Sequence, residues 1–203
     1  MSSEVKANKL SPATGTALQI SDSGDTTTIP SGATLAIASG ATIANSGTQT
    51  GFGLFSSYAI IADQKAQSTA GGTATSGAWR TRDLNTEIAD PDGIVSIATN
   101  QFTLGAGSYL IKWSSGAMDC DYSQSRLYDV TGTAEVEVGT SEYSYTNYDS
   151  NYRSIGTARV SPGSSNVYQI EHQVYTTKAT NGWGLAAGFS TEQYTLVEIF
   201  KEA

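Results

Sequence analysis

All 19 aromatic residues of this 203-residue chain lie at or after Phe52, and residues 1–50 contain none. Aromatic side chains supply a large share of the apolar surface that a protein core buries. One copy of the first 50 residues therefore cannot build a compact core. We divide the sequence into an N-terminal segment, 1–50, and a C-terminal head domain, 51–203, with the Gly-Phe-Gly sequence at 51–53 as the hinge between them.

The N-terminal segment carries a repeat of eight residues. Residues 31–36, SGATLA, recur as residues 39–44, SGATIA, and a partial third copy starts at 46–48. Each copy is predicted to form a Ser-Gly turn followed by a short strand with its apolar residue on one side. Two such units cannot bury that side alone, which favours several chains wound around one axis as an extended, β-rich shaft. A flexible Ser/Gly/Ala linker is the alternative.

The rest of the chain has the composition of β-structure. Ser, Thr and Gly make up 73 residues of the chain, and charged residues only 15%, which disfavours both long helices and charge-driven disorder. Short apolar segments separated by Gly, Pro and Asn turns predict an all-β sandwich. The predicted strands are 58–62, 94–98, 101–104, 109–113, 126–130, 135–138, 154–160, 167–175 and 194–200.

The last predicted strand is apolar on both faces. Alternation places Tyr194, Leu196 and Phe200 on one face and Val197 and Ile199 on the other. Only one face of a sheet in an antiparallel sandwich meets the core. The second face needs a cover, which a further copy of the chain would supply, so the strand predicts an oligomer.

Three segments of the head resemble tumour-necrosis-factor-like jelly rolls, the class that includes the globular heads of complement. Residues 100–111, NQFTLGAGSYLI, are similar to its "Phe, two residues, small or Gly, Gly, x, Tyr" signature. Residues 125–130, SRLYDV, resemble the following inner strand, and 194–200, YTLVEIF, resemble the last strand beside the trimer axis. The resemblance implies an antiparallel jelly-roll sandwich, a homotrimer, and a protein that is not an enzyme.

The complete chain resembles virion proteins. Residues 54–203 are similar to heads of bacteriophage fibres, and residues 3–12 and 23–34 resemble the N-termini of fibre-type virion proteins of marine phages. This implies a trimeric short fibre or spike, made in the host cytoplasm and located in the virion. Residues 1–50 would attach it to other virion proteins, and three heads would bind a host-surface glycan or protein with avidity during adsorption.

Two alternatives to a fibre remain open. The shaft is much shorter than that of long recognition fibres, which leaves a capsid decoration protein (a cement or head-fibre protein) as the first alternative. A glycan depolymerase is the second, and the absence of an acid pair at convincing spacing counts against it.

The tract 143–153, YSYTNYDSNYR, is the strongest candidate for ligand binding. It mixes tyrosines with Asn, Asp and Ser, the combination of rigid amphipathic rings and hydrogen-bonding groups found on recognition surfaces. The alternative is that these tyrosines pack on the sandwich or between subunits. Together with Trp183, which is flanked by glycines, the candidate ligand-binding residues are Tyr143, Tyr145, Tyr148, Asn151, Tyr152 and Trp183.

Evidence for a metal site is weaker. Asp119 and Asp121 flank Cys120, and alternation would place both carboxylates on one side of a strand, as a shared site for a cation such as calcium requires. A solvated polar loop is the favoured alternative, so no metal site and no cofactor are predicted. The sequence Asp-Pro-Asp-Gly at 90–93 is only a fragment of a calcium-loop pattern and is predicted to be a type I turn.

The remaining reactive groups do not form a catalytic set. His172, the only histidine, lies on an apolar strand face, which favours a buried or interface histidine over a catalytic base. Glu135 and Glu137 are predicted to share a strand face, where two acids are typical of an ordinary polar surface. Cys120 has no histidine nearby in sequence, so a nucleophile is not expected.

Charge and hydropathy restrict the partners. The net charge is −8, with 11 basic residues and no basic run, which argues against nucleic acid as a partner. No stretch approaches 18 apolar residues, so membrane insertion is not expected. The single cysteine cannot form an internal disulfide, and the N-terminus lacks the apolar region of a secretory signal.

Overall fold

The structure, a computed structural model, describes residues 20, 23–42, 54–146 and 148–203. The chain divides into two compact units, Met1–Thr48 and Gln49–Ala203. Several sequence predictions lie outside the described residues: the virion-like stretch 3–12, the end of the second repeat at 43–44, the third copy at 46–48 and the hinge 51–53.

The described part of the N-terminal unit contains two matching turns eight residues apart. The Ala33 amide donates to the Pro30 carbonyl at 3.0 Å, and the Ala41 amide donates to the Ala38 carbonyl at 3.0 Å. Gly32 and its counterpart one repeat later both have φ of 83°, a left-handed conformation that suits glycine in the third position of a type II turn. The predicted Ser-Gly turns are confirmed.

The short strands predicted between these turns are not formed within residues 23–42. Outside its turns that segment has no assigned secondary structure, and Leu35 is 65% exposed. An extended segment becomes a strand only when a neighbouring strand accepts and donates its backbone hydrogen bonds, and no strand is assigned within 23–42. The shaft itself stays a prediction.

The C-terminal unit is an antiparallel β-sandwich. Its strands are β1 (Phe55–Lys65), β2 (Arg80–Thr81), β3 (Thr86–Ala89), β4 (Val95–Ala98), β5 (Gln101–Leu104), β6 (Tyr109–Met118), β7 (Asp121–Asp129), β8 (Ala134–Ser144), β9 (Asn151–Val160), β10 (Asn166–Val174) and β11 (Glu192–Glu202). One sheet has the order β3-β1-β11-β6-β9. The other has the order β4-β5-β10-β7-β8, with β2 paired to β10. Among the described residues there is no helix that is long and apolar enough to cross a membrane.

The core fills the space between the two sheets, because alternate residues of each strand point inward. Its largest buried side chains include Trp113, Tyr109, Phe102, Ile111, Leu127, Ile170 and Ile199. The Trp113 indole Nε1 donates to Ser125 Oγ at 2.8 Å and so links β6 to β7 across the sandwich. Gly156 of β9 lies directly opposite Trp113 in the register, where a Cβ atom would overlap the indole.

The nine predicted strands are all present, and the structure adds β2 and β3. β2 is two residues long, and β3 is an edge strand whose single large apolar residue, Ile88, is half exposed, so neither shows an apolar pattern. β6 runs on to Met118 through small residues that the apolar pattern did not include. The turn at 90–93 is also confirmed: the Asp90 carboxylate accepts the amides of Ile94 and Val95.

One residue of the last strand is not where alternation placed it. The pairing of β1 with β11 contains a register shift between the pairs Ala62–Leu196 and Gln64–Gln193. Tyr194 is consequently buried, with its hydroxyl donating to the Thr69 carbonyl at 2.7 Å. The predicted common face of Tyr194 with Leu196 was therefore wrong, because a β-bulge breaks the two-residue period.

The rest of that strand is apolar on both faces, as predicted. Val197 and Ile199 are fully buried in the core, whereas Leu196 and Phe200 are half-buried on the outer face of the five-stranded sheet. The Phe55 ring lies 5.2 Å from the Phe200 ring on this outer face. The sheet thus presents apolar surface on the side away from its own core.

Candidate ligand-binding site

Five exposed tyrosines form a continuous line of ring contacts, which we call the tyrosine row. The centroid distances are 5.9 Å between Tyr175 and Tyr122 and 5.0 Å between Tyr122 and Tyr143. They are 6.0 Å between Tyr143 and Tyr145 and 4.9 Å between Tyr145 and Tyr148. The row joins three of the predicted residues to two that the sequence tract did not contain.

The other three candidates lie apart from the row. Asn151 and Tyr152 open β9, which belongs to the five-stranded sheet, and Tyr152 is half exposed. Trp183 is half-buried in the interior, stacked on His172 with 5.3 Å between ring centroids. The structure thus gives Trp183 a packing function. A binding function for any of the six residues stays a prediction.

Asp121 ties the connection that follows β8 to the end of β10. Its carboxylate accepts the Thr146 hydroxyl at 2.6 Å and the Thr176 hydroxyl at 2.5 Å. These hydrogen bonds stabilise the ionised form, so they hold the pKa of Asp121 below its ordinary value. Because Thr146 lies between two members of the tyrosine row, Tyr145 and Tyr148, Asp121 helps to fix the position of the row.

Asp119 also bonds to the segment that connects β8 to β9. One carboxylate oxygen accepts the Ser150 amide at 3.0 Å, and the other accepts Lys178 Nζ at 2.7 Å. Asp119 and Cys120 are buried, so the prediction of a solvated loop was wrong for them. Asp119 and Asp121 both have positive φ, at 50° and 56°, which breaks the alternation assumed for a shared cation site.

The oxygens of Asp119 and Asp121 are thus engaged by protein donors. Within the described ranges, no cluster of three or more His, Cys, Asp or Glu side chains is arranged to hold a metal ion.

An open cleft of about 630 Å³ lies beside the tyrosine row, and we call it the outer cleft. Its floor is the outer face of β7, β8 and β10, and its side is the segment from Ser76 to Trp79. Strand alternation directs Tyr122, Gln124, Ser141 and Gln173 into it, and Trp79 and Tyr175 line it from segments next to the strands. The sequence offered one signal for this site, because Gln169, Glu171 and Gln173 alternate with apolar residues in the predicted strand 167–175.

Trp79 is held at the edge of the cleft by a cation. The Arg126 guanidinium lies 4.2 Å from the centre of the Trp79 ring. Arg126 also pairs with Glu171 at 2.6 Å and with Glu135 at 3.0 Å, so two carboxylates balance its charge. Glu135 therefore has an ion-pair partner, and a register shift separates it from Glu137, which interrupts the alternation behind their predicted common face.

His172 is buried, as predicted. It is fully excluded from solvent, and its Nδ1 lies 3.1 Å from the Ser115 hydroxyl, while its Nε2 has no partner among the described residues. Burial, and then the charges of Arg82 and Arg153, lower the pKa of His172 well below 6.5. Burial also raises the pKa of the nearby Cys120 thiol to about 11, which keeps it protonated at neutral pH.

The free energy of unfolding is expected to fall as the pH decreases below 6.5, because the unfolded chain protonates His172 and the folded protein does not. The loss approaches about 1.4 kcal/mol per pH unit until the folded-state pKa is reached. Urea unfolding between pH 7.5 and 5.0 measures it. Asp63, whose pKa burial raises, acts in the opposite direction at lower pH.

The variant His172→Gln isolates this contribution. The quantity compared is the slope of the unfolding free energy against pH, so a change in absolute stability caused by the substitution does not affect the comparison. Its unfolding free energy should decline less steeply with acidity than that of the wild type. Equal slopes, or a histidine Cε1–H NMR signal that titrates near pH 6.5 in the folded protein, would contradict the prediction.

Solved structures share this fold at low sequence identity. The PRD1 vertex protein P5 is 10% identical, with a TM-score of 0.50 over 74% of this chain and 100% of its own. The globular domain of zebrafish complement 1qA is 12% identical (TM-score 0.47; 71% of this chain and 96% of that chain). The Eiger TNF of S. frugiperda is 14% identical (TM-score 0.48; 72% and 92%).

The likeness to the PRD1 vertex protein P5 concerns the fold and, together with the order of the strands in the two sheets, confirms the predicted antiparallel jelly-roll sandwich. No protein-family model matches the sequence, and no curated protein matches it.

Proposed function

We propose that the protein is a virion structural protein that assembles as a homotrimer and binds a ligand on the host cell surface through its head. Residues 1–50 attach it to other virion proteins, and the tyrosine row and the outer cleft contact the ligand. The observation that carries the binding proposal is the tyrosine row itself. Tyr122, Tyr148 and Tyr175 are 64%, 74% and 72% exposed, and a contiguous exposed aromatic surface is typical of an interaction site.

The trimer is supported by the outer face of the five-stranded sheet. Phe55, Tyr58 and Phe200 are neighbours there, since Tyr58 pairs with Phe200 in the register and the two phenylalanine rings are in contact. Leu110 of β6 lies beside Phe200 on the next strand. A second and a third copy would cover this apolar surface while the opposite sheet, with the tyrosine row, stays accessible.

The proposal includes no bond cleavage. Of the two acids predicted to share a strand face, Glu135 is paired with Arg126, and a register shift separates it from Glu137. The proposed function is multivalent binding, in which three heads on one particle gain avidity.

Adsorption competition tests the proposal. The purified full-length chain should sediment as a trimer, with three times the chain mass, and should block adsorption of the phage that carries it. The double variant Tyr122→Ser, Tyr175→Ser should remain trimeric but lose most of the blocking activity. Phe189→Ser is the control, because Phe189 is 91% exposed but is not in the tyrosine row. A monomer at micromolar concentration, or equal blocking by wild type and double variant, would refute the proposal.

A capsid decoration protein is the second candidate. It is favoured by the likeness to the PRD1 vertex protein P5, which extends over the whole of that chain. Antibody labelling of intact virions separates the two candidates. Label confined to capsid faces or vertices, without any block of adsorption by purified protein, would support decoration and exclude the adsorption function.

A further inference from the structure

We infer that the outer cleft binds an uncharged pyranose sugar, as a monosaccharide unit within a neutral host-surface glycan. The inference rests on the proposed binding function of the head and specifies its ligand. It is carried by three properties of the cleft: the charge of its side chains, their arrangement in two parallel rows, and their unused hydrogen-bonding groups.

No charged side chain points into the cleft from the described residues that line it. Glu142 is one of those residues, but it lies opposite the buried Ser123 in the register. Its carboxylate accepts the Thr140 hydroxyl at 2.6 Å, and that hydroxyl accepts the Ile155 amide of the other sheet. Glu142 thus points to the opposite side of β8 and contributes only its backbone to the cleft.

The cation on the same face of β7 as Gln124 is already neutralised. Arg126 lies two residues along β7 from Gln124, stacked on Trp79 and paired with Glu171 and Glu135. An anionic sugar would need an unpaired cation to compensate for the loss of its hydration. The cleft therefore favours a neutral ligand over a uronate or a sialylated glycan.

The side chains of the floor form two rows that cross the strands. The first of these rows consists of three members of the tyrosine row, Tyr143, Tyr122 and Tyr175. Tyr143 and Tyr122 are register partners, and the Tyr175 amide donates to the Tyr122 carbonyl. Ser141, Gln124 and Gln173 are register partners and make up a polar row. The rows are two residues, or about 7 Å, apart, so a ring that lies on the aromatics brings its hydroxyl groups to the amides.

The polar row has hydrogen-bonding groups that no described residue uses. No described residue bonds to the Gln173 amide or to the Ser141 hydroxyl, and Gln124 uses only its Nε2, which donates to the Gly139 carbonyl at 3.0 Å. An amide offers both a donor and an acceptor, which matches the two properties of a sugar hydroxyl. Apolar C–H groups of the same sugar are suited to the Tyr122 and Tyr175 rings, which meet at 89° and form a corner.

Saturation-transfer NMR and calorimetry with the full-length protein test the inference. The probes are neutral pentasaccharides of hexose and of N-acetylhexosamine, with oligogalacturonate as the anionic comparison. We expect a neutral probe to bind, and oligogalacturonate to bind at least about tenfold more weakly. Gln173→Leu and Trp79→Ala should each weaken binding of the neutral probe about tenfold or more, whereas Thr157→Ala, on the exposed face of β9 in the other sheet, should leave it unchanged.

The possible outcomes separate this inference from the proposed function. Binding of oligogalacturonate alone, or binding of a neutral probe that Gln173→Leu leaves intact, overturns the inference. If no probe binds while the protein still blocks adsorption, the inference fails and the proposed function stands. If a neutral probe binds as expected but the protein does not block adsorption, the inference stands and the proposed function fails.

Discussion

Replacing Gly156 with alanine is expected to lower the free energy of unfolding by about 3 kcal/mol. Gly156 lies opposite Trp113 in the pairing of β6 with β9, and an added Cβ would overlap the six-membered ring of the indole. The indole cannot move aside easily, since it is buried and its Nε1 bonds to Ser125 on the other sheet. Strain in this core is therefore the dominant effect.

Chemical denaturation, read by tryptophan fluorescence and by circular dichroism, measures the loss. The control is Gly105→Ala, because a Cβ at Gly105 meets no atom within 4 Å, and its unfolding free energy should stay within about 0.5 kcal/mol of wild type. A double variant that also carries Trp113→Leu should show a smaller cost for the alanine, since the two positions are in contact. Equal costs in both backgrounds would show that the clash is not the cause.

Arg82→Ala is expected to cost about 2–5 kcal/mol, comparable to truncation of a large core side chain. The Arg82 side chain is only 1% exposed, and its guanidinium lies 4.1 Å from the centre of the Trp183 ring. It donates to the Thr195 hydroxyl at 3.2 Å and to the Gly116 carbonyl at 3.1 Å. Burial lowers the pKa of Arg82 to about 9, so the group is still protonated at neutral pH.

The comparison with Arg82→Met separates packing from charge. No carboxylate of the described residues lies within ion-pair distance of this guanidinium, so methionine removes a buried charge and retains much of the packing. We expect the methionine variant to be more stable than the alanine variant when both are unfolded in urea at pH 7. If methionine is as damaging as alanine, the hydrogen bonds of the guanidinium matter more than its packing.

The strands could be predicted because each carries its own signal. In β10, Tyr168, Ile170, His172 and Val174 alternate with polar residues, and all four are buried as that pattern indicates. The alternation of apolar residues does not reveal a β-bulge, because the extra residue does not change the types of residue in the strand. It changes only which face of the sheet the side chains beyond the bulge occupy. Tyr194 was misplaced for this reason.

The candidate site could be predicted only in part, because its members are distant in sequence. The tract 143–153 supplied Tyr143, Tyr145 and Tyr148, whereas Tyr122 and Tyr175 join them only through the pairing of β7 with β8 and β10. Trp183 shows the opposite case. Its glycine neighbours indicate a loop, but the ring lies in the interior because it packs against Arg82 and His172, and no sequence motif connects these residues to Trp183.

The alternation of buried and outward-facing side chains over residues 123–127 of β7 has an evolutionary consequence. Gln124 faces the outer cleft, while its neighbours Ser123 and Ser125 are buried in the sandwich. Codons that determine the surface are thus interleaved with codons that determine folding, and the two sets do not overlap. We expect lineages of this chain to diversify at outward-facing positions such as Gln124 and Gln173, acquiring new surfaces on an unchanged interior.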